Sequence, residues 1–76
     1  MQAIHLKTAL EMLNEGKPVT LTALTAKGEI NTYEECVALP RPGKKTWRNY
    51  KMLRSGQIRR IRDVLIIGIN EFEVYL

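Results

Sequence analysis

Apolar residues recur at Ala3, Leu6, Leu10 and Leu13 at the spacing of one helix face, and Ala9 and Met12 widen that face. Lys7, Glu11 and Asn14 take the opposite side, so residues 3–15 are predicted to form an amphipathic helix. Gly16 suits a left-handed C-cap and Pro18 forbids continuation. No residue of the usual capping types precedes the first turn. His5 lies beside the apolar face and is read as a surface or packing residue, since a second histidine for a metal pair is absent from the sequence.

From residue 18 the period shortens to that of strands, with Val19, Leu21 and Ala23 alternating against threonine-rich positions. Strands are expected at 18–26 and 29–39, joined by a two-residue turn at Lys27-Gly28. That register sets Val19 against Cys36 and Leu21 against Glu34. The second pair is a poor one for a core, and a bulge or a longer loop would correct it. Pro40, Pro42 and Gly43 make 40–45 a loop, and 46–53 is expected to be the next strand, ended by Ser55-Gly56.

Two further apolar runs, in strands expected at 58–69 and 72–76, flank Asn70-Glu71. A two-residue turn there pairs Ile69 with Phe72, Ile67 with Val74 and Leu65 with Leu76. Leu65, Ile67, Ile69, Phe72 and Val74 would then share one buried face. The elements together predict one α+β domain over residues 1–76. Its N-terminal helix would pack on a small, strongly bent antiparallel sheet of four to five strands, barrel-like and of the Src-homology or Sm type.

Composition changes this picture little: 45% hydrophobic and 26% charged residues suit an ordinary globular domain. A single cysteine, Cys36, permits no disulfide within the chain and is read as a small core hydrophobe. The longest apolar run, Val64 to Ile69, is far short of a membrane helix, and the N-terminus lacks the apolar core of a secretion signal. No membrane association and a cytoplasmic location are therefore expected.

Charge changes it more. Residues 41–62 hold nine of the twelve Lys and Arg side chains and no acid, whereas residues 1–40 carry three Lys against five Glu, and 63–76 carry three acids and no cation. So uneven a distribution points to an anionic partner. Lys44, Lys45, Arg48, Lys51, Arg54, Arg59, Arg60 and Arg62 are candidates to neutralise phosphates, with Tyr50 as a ring that can stack on a base and Trp47 as either core or a second ring.

Catalysis is not expected. The lone His5, Cys36, Ser55 and Asp63 fall in four separate elements, the glycines never cluster into a phosphate loop, and Glu34 and Glu35 point to opposite faces of a strand. No metal site and no cofactor are expected either.

The segment Ser55-Gly56-Gln57-Ile58-Arg59-Arg60-Ile61-Arg62-Asp63, with the hairpin after it, resembles small proteins of bacteriophages and conjugative elements of anaerobic bacteria. The likeness covers the C-terminal half and carries over no functional residue. It implies a phage or mobile-element origin and favours either a nucleic-acid-handling accessory protein or a small protein that binds a host or phage protein. Two partner classes follow: DNA or RNA, bound without strong sequence preference, or an acidic protein met by an interaction module that is itself a candidate homo-oligomer. An exposed Trp47 or Tyr50 within the basic patch favours nucleic acid, and burial of both favours protein.

Overall fold

The computed structural model describes residues 2–41 and 43–76. Its elements are β1 (Ala3–His5), α1 (Leu6–Leu13), β2 (Val19–Leu24), β3 (Ile30–Ala38), β4 (Trp47–Met52), β5 (Ile58–Arg62), a 3-10 helix (Asp63–Leu65), β6 (Ile66–Ile69) and β7 (Phe72–Tyr75). All seven strands join one sheet in the order β1-β7-β6-β2-β3-β4-β5. The β1–β7 pair is parallel and every other pair antiparallel.

This overturns the expected α+β domain with a helix on a four- to five-strand, barrel-like sheet of the Src-homology or Sm type. The fold is mostly β, with about half of the chain in strands, one short helix and a mixed sheet that stays open, its end strands β1 and β5 unpaired with each other. Seven flat strands at about 4.8 Å spacing would form a thin slab. The molecule instead measures 29 × 26 × 25 Å, so the sheet curls strongly around its contents.

The helix is shorter than its apolar period suggested because its first predicted turn is used elsewhere. Ala3, Ile4 and His5 run extended beside Glu73, Val74 and Tyr75, which pairs an edge that β7 would otherwise expose. His5 then ends the strand and caps the helix, its Nδ1 accepting from the Lys7 N–H at 3.0 Å. An acceptor at this position satisfies one of the helix's orphan donors, a role that histidine's low rank among capping residues hid. Ala9 and Leu13 are buried in the core, and Leu6, Leu10 and Met12 pack half-buried against it.

The β2–β3 hairpin keeps Val19 against Cys36 through two compensating irregularities. Its loop spans five residues instead of two, closed by Thr25 N–H donating to the Glu29 carbonyl at 2.8 Å, and this moves Leu21 from Glu34 to Tyr33. Glu35, at φ 50°, is the extra residue that restores the register at Val19.

The C-terminal hairpin forms as expected at its tip only, with Ile69 facing Phe72 and Gly68 facing Glu73. Asn70 takes the left-handed conformation at φ 52°, and its Oδ1 also accepts from the Thr20 N–H at 3.1 Å, which fastens the turn to β2. Further back the expectation fails. The long strand expected at 58–69 is broken by the 3-10 helix at Asp63–Leu65. Beyond it, Ala23 pairs with Ile66 and Thr22 with Gly68, which leaves Ile67 as a bulge. The bulge reverses side-chain parity, so Ile66 and Ile69 are buried while Leu65 and Ile67 are only half-buried. The core is completed by Leu21, Ala23, Cys36, Tyr50, Met52 and Ile61.

Candidate nucleic-acid interface

Strands β4 and β5 carry most of the basic stretch, and their register sorts it by face. Residues directly opposite across an antiparallel pair share a face. Arg48 faces Ile61 and Tyr50 faces Arg59 on the concave side, whereas Trp47 faces Arg62, Asn49 faces Arg60 and Lys51 faces Ile58 on the convex side. Lys51, Arg60 and Arg62 thus lie exposed together on the outer surface, with no acid interleaved on either strand. Arg60 places its guanidinium carbon 4.2 Å from the centre of the Trp47 ring. That cation–π contact half-covers the ring and fixes the arginine's stem along the sheet.

Lys44 and Lys45 are exposed in the loop that leads into Trp47, at the Arg62 end of this face. The base of that loop is held by Arg41, whose Nη1 lies 2.9 Å from Asp63 Oδ2 and also donates to the Lys45 carbonyl at 2.7 Å. The Asp63 N–H in turn donates to the Thr46 carbonyl at 3.0 Å. Both side chains of the ion pair are largely buried, so removing one strands the other. Asp63→Asn is expected to lower stability by about 1.5–3 kcal/mol, the range for a charge-assisted hydrogen bond, measured by urea denaturation. A smaller loss would show that the loop is held by its backbone contacts alone. Nothing in the sequence marks this lock, because its partners stand 22 positions apart.

The other candidates are placed elsewhere. Arg54, in the β4–β5 turn, lies 3.2 Å from Glu34 and 3.4 Å from Glu35, which neutralise it. Arg59 is exposed but belongs to the concave side, where its Nη2 donates to Gln57 Oε1 at 3.1 Å. Arg48 is 6% exposed, and its Nη2 donates to Asn14 Oδ1 at 2.6 Å. Tyr50 is fully buried, which removes it as a stacking platform. Of the nine residues singled out from the sequence, five therefore remain as one accessible group: Lys44, Lys45, Lys51, Arg60 and Arg62.

The buried side of β4 is chemically quiet. Burial pushes the Tyr50 phenol up to about 12, opposed by the nearby Arg48 charge and reinforced by Asp63. Burial also raises the Cys36 thiol. Neither group supplies a ready nucleophile near neutral pH. The Tyr50 shift has a consequence for stability. The unfolded tyrosine loses its proton near pH 10 and the folded one only near 12, so this contribution is full below pH 10 and declines as pH rises across that window. The decline is about 1.4 kcal/mol per pH unit. Tyr50→Phe is expected to flatten that alkaline limb. Because the hydroxyl has no partner, its removal should leave stability at pH 7 unchanged or raise it by about 1 kcal/mol. Chemical denaturation of both proteins at pH 7 and pH 11 checks this; an unchanged limb in the variant would refute the assignment.

No family model, curated protein or solved structure matches the chain.

Proposed function

We propose that the chain is a small nucleic-acid-binding accessory protein that holds the phosphate backbone, without sequence readout, on the convex face of β4 and β5. The observation that carries this reading is the grouping of Lys51, Arg60 and Arg62 on one exposed face with Lys44 and Lys45 at its end. Five exposed cations that meet phosphates release counterions on binding, which favours association with any duplex. Tyr50 is buried and Trp47 half-buried beneath Arg60, so neither ring lends nucleic acid the support that an exposed one would, and the reading rests on phosphate contacts alone. The resemblance of 55–63 to phage and mobile-element proteins fits such a role in the cytoplasm of a bacterial host. Among the described residues no helix is long and apolar enough to cross a membrane.

Fluorescence anisotropy with labelled duplexes of unrelated sequence at several salt concentrations tests the reading. Five phosphate contacts give a slope of about −4.5 in log affinity against log salt. Equal affinity for the duplexes at each salt concentration is also expected. Absence of binding at low salt contradicts it.

A second reading is favoured by one feature, the position of β5 at the end of the sheet with Ile58 58% exposed. An end strand presents unpaired backbone groups to which an acidic partner strand, or a second copy of this chain, can add. The arginines of β5 also act against unselective pairing of that edge. A concentration-dependent mass in sedimentation equilibrium would support self-association.

A further inference from the structure

The unexplained feature of this fold is Arg48. This arginine is only 6% exposed. Among the described residues its one side-chain hydrogen bond is to the neutral Asn14 Oδ1, and its buried Nε–H has no partner. Among the described residues no carboxylate lies within 4.0 Å of it: Asp63 holds Arg41 through Oδ2, and its buried Oδ1, though without a partner, does not reach Arg48. The residues not described, Met1 and Pro42, bring no acidic side chain. A buried cation left so is costly unless something pairs with it.

Arg48 also lines a cleft of about 470 Å³ between the end of α1 and the end of β3. That volume suits a small ligand. Leu13 forms one wall and the Val-Ala-Leu-Pro segment 37–40 the other; Asn14 and Arg48 are the only polar side chains on the lining, and no acid is among them. An apolar slot whose one charged lining group is a guanidinium matches one ligand chemistry, a carboxylate carrying a short aliphatic chain. We propose that this cleft binds a small aliphatic carboxylate, its oxygens on the Arg48 guanidinium and its chain between Leu13 and residues 37–40. The site is independent of the nucleic-acid reading, because it opens beside α1 and not on the convex face of β4 and β5.

The experiment follows the Arg48 Nε–H and the Ala38 and Leu39 amides of the full chain in two-dimensional nitrogen–proton spectra. The probes are 4-methylpentanoate, its neutral amide, acetate and inorganic phosphate. Saturable shifts at all three groups are expected with 4-methylpentanoate and none with the amide. Acetate should bind at least about tenfold more weakly, since it lacks the buried methylene and methyl groups. Arg48→Met, which keeps the volume and removes the charge, should weaken binding by about tenfold or more at the two amides. Ala38→Leu, which fills the cleft and keeps Arg48, should do the same and stands in should the methionine variant not fold. Absence of saturable shifts with 4-methylpentanoate, equal shifts with its amide, or phosphate binding as tightly as the carboxylate would each overturn the proposal.

Discussion

Truncating Ile69 to alanine is expected to destabilise the protein by about 2–5 kcal/mol, against an expected total near 4–11 kcal/mol for a chain of this size. Ile69 is fully buried and joins three strands, since it faces Leu21 on β2 and Phe72 on β7. A cavity there cannot close without moving both neighbours, so most of the lost packing is unrecovered. Ile67→Ala is the matched comparison. Ile67 is the bulged, half-buried residue of the same strand, and its truncation should cost about 1 kcal/mol or less. Urea denaturation of the two variants separates the registers. A larger loss at Ile67 than at Ile69 would restore the unbulged pairing that the sequence suggested.

Reversing Arg60 and Arg62 to glutamate is expected to lower affinity for any duplex by about a hundredfold at 0.1 M salt, since two of five cationic contacts are lost and replaced by repulsion. The salt slope should fall from about −4.5 to about −2.7. Both side chains are exposed on an end strand, so the fold should survive, with the loss of the Arg60–Trp47 contact costing about 0.5–1 kcal/mol. Arg54→Ala is the control. That arginine already faces Glu34 and Glu35, and its removal should leave affinity nearly unchanged. Equal losses from the control and the double reversal would mean that net charge, rather than this face, drives binding.

The elements that the sequence disclosed are those with strong local periodicity or strict turn chemistry. The apolar face of α1, the Asn70 turn and the strand character of β2, β3 and β4 were all legible, because each depends on neighbours within a few residues. What escaped depends on distant partners. Ala3 to His5 became a strand only because β7 offers an open edge, a fact concealed by the 70 positions that separate each residue from its partner. The bulge at Ile67 exists because β2, not β7 alone, sets the parity of β6. The 3-10 helix at Asp63 is fixed by contacts from Arg41 and Thr46 across the loop. These long-range terms turned the expected small barrel under a helix into an open, seven-stranded sheet.

The basic stretch shows the same division. Its charge was plain in composition, but which cations are usable follows from the β4–β5 register, and that register puts Arg48 and Tyr50 inside. Arginine at a buried strand position has no sequence signature that distinguishes it from its exposed neighbours Lys51 and Arg62.

Backbone amide shift mapping with a short DNA duplex at low salt locates the bound face of the sheet. Perturbations are expected to concentrate at Lys44, Lys45, Trp47, Asn49, Lys51, Arg60 and Arg62, leaving β1, β7 and the outer positions of β2 unmoved. Perturbations centred on β2 and β6, or none while the spectrum remains that of a folded protein, would contradict it.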